Sequence, residues 1–258
     1  MKDWDYENDQ WTRLPGYLKH LPLFTRHADL FSICVKYIWA FFLKFVFFQT
    51  YIRLRVKGDF KKVYKENPKL LVISNHGSHL DAISIATAIP APYWRDLFIA
   101  AAKDYFFTNP LFTFFSQHCL GAIPIDRKDK KGEAINLILT LLTNLPRIWL
   151  ILFPEGTRSK DGKVHDFKRG VSVFAEKTNT PVLFLFIEGN TKLWPKGAIF
   201  AKPGKLVVHV GPVHPPAPVQ DLYRAFRAWA ITIAPEAFDL AENPEWKENQ
   251  NSSLSEEV

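Results

Sequence analysis

The 258-residue chain predicts an α/β fold, with a mixed, largely parallel sheet flanked by helices. A hydrophobic, amphipathic helical segment precedes it. Three observations carry that expectation. Beyond Lys57-Gly58, short apolar runs alternate with helix-spaced patterns, the order that builds parallel sheets with helices on their faces. Residues with chemical capacity follow those runs, where open α/β sheets hold ligands. Finally, residues 30–52 form one long apolar stretch, LFSICVKYIWAFFLKFVFFQTYI.

In chain order, residues 1–20 are polar and acidic and do not read as a cleavable signal. The 30–52 stretch is long enough to cross a bilayer. Lys36 and Lys44 interrupt it and lie about 80° apart on a helical wheel, in one sector. A lysine at the centre of a spanning helix costs about 2.5–3.5 kcal/mol. The pattern therefore favours an in-plane or re-entrant, membrane-associating helix over a simple span. Trp39, Phe41 and Phe42 would enter the acyl region while Lys36 and Lys44 meet phosphates. A buried core helix is the alternative. Strand-like runs follow near 52–56, 70–74, 97–101, 119–125, 148–153, 182–187 and 206–210. Helical patterns fall near 79–89, 104–117, 131–144, 168–177 and 219–237. Pro212, Pro215, Pro216 and Pro218 mark an extended connection into the last helix. The division is a membrane-associating segment over 1–52, an α/β domain over 53–240 and a disordered acidic tail over 241–258.

Composition narrows the partners. Hydrophobic content of 47% is ample for a core, and net charge is +7. Residues 242–258 carry five Glu and one Lys, so the rest of the chain carries +11. A basic, aromatic-rich body suits a phospholipid leaflet, a phosphate ester or nucleic acid. No interleaved nucleic-acid motif is present. Cys34 and Cys119 have no metal-like spacing and read as free thiols.

Three stretches carry chemistry. In Ser74-Asn75-His76-Gly77-Ser78-His79-Leu80-Asp81, a histidine sits at a strand-to-helix junction with an aspartate five residues on. That spacing sets a carboxylate behind an imidazole. Ser78 and Asp81 equally fit a helix-capping pattern. In Phe153-Pro154-Glu155-Gly156-Thr157-Arg158-Ser159, Gly156 permits close backbone approach and Arg158 offers a bidentate fork for phosphate. Glu155 binds a hydroxyl or orients Arg158. A tight turn with a solvated ion pair is the plain alternative. Residues 121–127 end in Asp126-Arg127, a second phosphate candidate. Lys168 and Arg169 open a helix, where anions bind.

These blocks, N-H-x-x-x-x-D at 75–81, G-x-I-x-I-D-R at 121–127 and F-P-E-G-T-R-S at 153–159, resemble the glycerolipid acyltransferases, specifically the lysophosphatidic acid acyltransferases. The fourth block departs: Thr180-Pro181-Val182-Leu183-Phe184 lacks a second proline. The resemblance implies acyl transfer from acyl-CoA or acyl-carrier protein to the sn-2 hydroxyl of 1-acyl-glycerol-3-phosphate, with no cofactor or metal. His76 would be the general base, oriented by Asp81. Glu155, Gly156, Thr157 and Arg158 would bind the glycerol-phosphate, helped by Arg127, Lys103 and Lys168. The phospholipid membrane, at its cytoplasmic face, would supply the acceptor. Backbone N–H groups near Gly77 or Gly156 are expected to meet the oxyanion. No G-x-S-x-G elbow occurs; Gly170-Val171-Ser172-Val173-Phe174 fails at its last position. The nearest rival is an acyltransferase for another lysolipid or glycerol-3-phosphate; a metal-dependent hydrolase using His76, His79 and Asp81, and a non-enzymatic membrane-binding module, are further ones.

Overall fold

The computed structural model describes residues 30–125 and 133–239. Each apolar run becomes a strand of one sheet: β1 (Ile52–Lys57), β2 (Lys69–Ser74), β3 (Leu97–Ala102), β4 (Ala122–Ile125), β5 (Ile148–Leu152), β6 (Val182–Glu188) and β7 (Gly204–His214). Their order is β1-β7-β6-β2-β5-β3-β4. The strands from β6 to β4 run parallel, and β7 pairs antiparallel with β6 and parallel with β1. The polar lead-in, Arg127 with Asp126, and the acidic tail lie outside the described residues.

Helices connect the strands: α1 (Leu30–Phe42), α2 (Phe60–Glu66), α3 (Asp81–Ala88), α4 (Lys103–Phe106), α5 (Pro110–Phe114), α6 (Glu133–Asn144), α7 (Gly170–Thr178), α8 (Asn190–Leu193) and α9 (Val219–Ala230). The expected 104–117 helix is broken. Pro110 forces a new start, because the residue before a proline is pushed out of the α region. A wider π-helical turn, Phe115–Cys119, then ends the segment, and β4 starts later than expected after Gly121 turns the chain at φ 60°. The expected 219–237 helix stops at Ala230, and Ala234 before Pro235 adopts φ −145°. Pro212 lies inside β7 rather than in a connection. There β7 has run past β1, whose pairing ends at His209, and the register with β6 slips between Leu183 and Leu185. An edge with a bulge is where a strand accommodates proline.

β2 from Leu70 to Ile73 and all of β5 are apolar because both sheet faces are covered. In β2, Leu71 and Ile73 face the cluster made with α6, α7 and α9, while Leu70 and Val72 face the one that includes α3 and the N-terminal helix. All four are fully buried, each worth about 1.5–3 kcal/mol relative to exposure. This rigid pair of strands aims the segment after β2 and the turn after β5 at one edge.

The N-terminal helix corrects one expectation. From α1 it continues as a π-helical stretch, Leu43–Tyr51. Lys36, Ala40, Leu43 and Phe48 are its buried stripe, and the Lys36 ammonium donates to the Leu97 carbonyl at 2.9 Å. The lysine sector therefore docks on the domain at Lys36 instead of meeting lipid phosphates; Lys44 is half-buried. Phe41, Phe42, Phe45 and Ile38 face outward. Trp39 is half-buried, stacked on Phe42 at 5.5 Å and close to Phe115 at 5.7 Å. Residues 33–51 have the length and composition of a membrane span.

Reversing the charge at the docked lysine buries a carboxylate against a carbonyl. Lys36→Glu is expected to lower unfolding stability by about 3–5 kcal/mol, and Lys44→Glu by less than about 0.5 kcal/mol. Denaturant melts of the full chain in detergent measure both.

Candidate active site

The site is built where β2 and β5 end. After Ser74 the ladder is prolonged by a side chain. Asn75 donates through Nδ2 to the Ile187 carbonyl at 3.1 Å and accepts through Oδ1 from the Ile187 N–H at 2.8 Å. Its amide imitates a peptide group and ties the exit of β2 to β6. The motif's asparagine thus has a structural task that spacing alone did not reveal.

His76 follows, and its backbone is held from both sides by the turn after β5. Its N–H donates to Glu155 Oε1 at 2.8 Å, and its carbonyl accepts from the Ser159 N–H at 2.7 Å. The Phe153 ring stacks on the imidazole at 4.0 Å between centroids. The 74–81 and 153–159 blocks are therefore one unit. Glu155 is only 4% exposed, and its other oxygen accepts from the His165 N–H at 3.1 Å. It is a backbone brace instead of the hydroxyl- or phosphate-binding group expected from the sequence.

The imidazole meets Asp81 as expected. His76 Nδ1 lies 2.9 Å from Asp81 Oδ2, which also accepts from the N–H groups of Gly77 at 2.8 Å and Ser78 at 2.9 Å. Oδ1 accepts from Asn190 Nδ2 at 2.8 Å. Asp81 is fully buried, and four donors satisfy it, as a buried carboxylate requires. An acceptor of that kind holds the proton on Nδ1 and leaves the Nε2 lone pair for chemistry. The capping reading is also met in part, because Ser78 Oγ accepts from the Leu80 N–H at 3.1 Å. Gly77 lets the α8 segment close over Asp81; a Cβ there would stand 2.3 Å from Thr191 Cγ2.

The expected oxyanion donors are used elsewhere. The Gly77 N–H binds Asp81 and the Gly156 N–H binds the Phe153 carbonyl at 2.9 Å. With Asp81 occupied by N–H donors, its oxygens are not presented as metal ligands. Among the described residues no three His, Cys, Asp or Glu side chains group to hold an ion.

Cations gather beside His76. Gly156 takes φ 72°, and the Lys168 side chain passes over it, 3.0 Å from where a Cβ would be. Burial and then the nearby Arg158 guanidinium hold His79 below its ordinary pKa, which puts Arg158 close to the histidine segment. Thr157 is exposed, and its Oγ1 accepts from Lys196 Nζ at 3.3 Å; the same ammonium donates to the Arg158 carbonyl at 3.2 Å. Lys103 follows β3 at the same edge, two strands from β2. Arg127 lies outside the described residues. Asn190 and Lys196 were not foreseen. Both come from beyond the three blocks, and only the β6–α8 return brings them in.

Comparison with known proteins follows the same residues. A family model described as Acyltransferase matches residues 53–188, more than half of the chain. The chain is 26% identical over 176 residues to a chloroplastic 1-acyl-sn-glycerol-3-phosphate acyltransferase of Brassica napus, covering 68% of this chain and 48% of that protein. It is 30% identical over 170 residues to the mouse 1-acyl-sn-glycerol-3-phosphate acyltransferase alpha, covering 62% and 54% respectively. The chain spans about half the length of the curated relatives it matches. The crystal structure of the 1-acyl-sn-glycerophosphate acyltransferase PlsC from Thermotoga maritima is similar at a TM-score of 0.55 and 27% identity, over 71% of each chain.

Burial raises the Glu155 pKa to about 8 from an ordinary 4.5, against the pull of its two amide bonds. The folded state then keeps a proton that the unfolded chain releases, so Glu155 makes stability fall as pH rises through that window. Wild-type Tm, followed from about pH 5 to about pH 8.5, should show this decline, and Glu155→Gln should remove much of the slope.

Proposed function

The chain belongs to the Acyltransferase family, and from that premise we propose that it transfers a fatty acyl group from a thioester to the free sn-2 hydroxyl of 1-acyl-glycerol-3-phosphate. The observation that carries the reading is the His76–Asp81 contact of 2.9 Å beside the cation-bearing turn at 153–159. His76 Nε2 takes the acceptor hydroxyl proton as the oxygen attacks the thioester carbonyl. Asp81 stabilises the imidazolium so formed. The tetrahedral intermediate collapses by breaking the carbon–sulfur bond, and the imidazolium returns its proton to the leaving thiolate. The new ester and a free thiol are the products. No enzyme nucleophile takes part.

Arg158, with Lys168 and Lys196 close by, receives the acceptor's phosphate, and a guanidinium fork suits its oxygens. That cation density favours a phosphate-terminated acceptor over lysolipids with larger headgroups. The donor is acyl-CoA or acyl-carrier protein. The acceptor is an amphiphile, so the enzyme works at a phospholipid surface, and we assign it to the cytoplasmic face. Relatives named for the same acyl transfer support the reading.

An acyl-transfer assay of the full chain, with both donors and with lysophosphatidic acid against other lysolipids, tests the assignment. His76→Ala should lower turnover by roughly 10²–10⁴-fold with an unchanged melting profile. Near-normal activity in that variant would reject His76 as base. Arg158→Ala should raise the acceptor KM by about tenfold and the donor KM by less than about twofold. Equal effects on both would reject the phosphate contact.

A further inference from the structure

The loop 194–203, between α8 and β7, presents Ile199 and Phe200 at 79% and 81% exposure, the most exposed large apolar side chains among the described residues. Leaving each in water forgoes about 1.5–3 kcal/mol of burial. Isolated surface hydrophobes are ordinary, but this pair sits on a braced loop. Trp194 Nε1 donates to the Ala198 carbonyl at 2.8 Å, the Ala198 N–H to Pro195, and the Lys202 N–H to the Leu193 carbonyl at 2.7 Å. Gly197, at φ 96°, makes the turn before the tip.

The loop is also joined to three other parts of the molecule. Pro195 bridges to Ser78 in the histidine segment, and Trp194 lies 5.0 Å from the His79 ring. Lys196 reaches Thr157 and the Arg158 carbonyl. Tyr51, at the end of the apolar N-terminal helix, donates through its hydroxyl to the Ala201 carbonyl at 2.7 Å. The tip is therefore contiguous with the segment that displays Phe41, Phe42 and Phe45. Exposed lysines flank it: Lys196 before, Lys202 and Lys205 after, with Arg53 beside Lys205 in the β1–β7 register.

An apolar tip between cations, tied at Ala201 to the end of an apolar, aromatic-rich helix, matches the two layers of an anionic phospholipid leaflet. We propose that residues 194–203 form a lipid-inserting finger beside the active site. Ile199 and Phe200 enter the acyl region and Lys202 stays at the headgroups. Lys196 links the seated finger to the phosphate-binding turn. Docking would thus align the turn with an acceptor still held in the leaflet, a role that rests on the acyl-transfer reading.

The insertion itself is read without turnover. Ile199→Cys is labelled with an environment-sensitive fluorophore in a Cys34→Ser background, since Cys119 is buried. The same label at Glu176→Cys, exposed on α7, serves as reference. In protein bound to vesicles of phosphatidylcholine and phosphatidylglycerol, iodide quenching at 199 should be about fivefold weaker than at 176, with quenching by doxyl lipids gained. Equal iodide access at both sites would overturn the proposal. So would shielding that appears only when an acidic protein is added. Paired Ile199→Asp and Phe200→Asp changes should raise the KM for vesicle-embedded acceptor by about fivefold and leave kcat on a short-chain, water-soluble acceptor unchanged. Loss on both acceptors, or on neither, would also overturn it.

Discussion

The peptide group of His76 is held at both its polar ends by a turn that begins 77 residues later in the chain. Glu155 takes its N–H, the Ser159 N–H takes its carbonyl, and the Phe153 ring lies flat against its side chain. A strand-to-helix junction leaves backbone groups without ladder partners, and a buried unpaired one costs about 1–3 kcal/mol. The turn fills that deficit and fixes where the imidazole sits. Arg158 rides on the same turn, so the proposed base and the proposed phosphate fork are set by one piece of backbone. This is possible only because β2 and β5 are hydrogen-bonded neighbours, parallel and in register from Lys69–Ile148 to Ile73–Leu152.

Asp81 is the second fixed point. A fully buried carboxylate is costly unless donors surround it. Here the donors come from three places: the imidazole, the Gly77–Ser78 backbone and Asn190 across the sheet. The first two arise locally, because beginning a helix at Asp81 points those N–H groups at its side chain. The third requires α8 to close over Gly77, where there is no room for a Cβ. Capping and orientation of the imidazole are thus one arrangement. The helix start that satisfies the backbone also aims the carboxylate at Nδ1.

Much of this was legible in the sequence, and the parts that were not share a cause. The strands were readable because central strands buried on both faces are near-continuous apolar runs, and Leu70–Ile73 and Ile148–Leu152 are such runs. The His76–Asp81 contact was readable because five residues across a strand-to-helix turn bring the two together. Direction was not readable. A helical wheel grouped Lys36 with Lys44 but could not say that this sector docks on the domain. Residue type and spacing likewise could not say whether Glu155 faces a ligand or the backbone; burial decided for the backbone. Asn190 bonds to Asp81 from 109 residues away, and only the β6–α8 return reveals it. The breaks at Pro110 and Pro235 were present in the sequence as prolines within otherwise helical patterns.

The same frame joins the site to the apolar N-terminal helix. The apolar helix ends at Tyr51, Tyr51 holds the loop at Ala201, and the loop reaches the turn through Lys196. In the proposed transfer the acceptor's own hydroxyl attacks, with His76 as base and no acyl-enzyme on the way. The most direct measurement mixes the full chain with acyl thioester in the absence of lysophosphatidic acid and follows thiol release on the scale of one turnover. No release is expected until the acceptor is added, with the protein intact at its unmodified mass. A stoichiometric burst of thiol, with one acyl group retained on the protein, would contradict it.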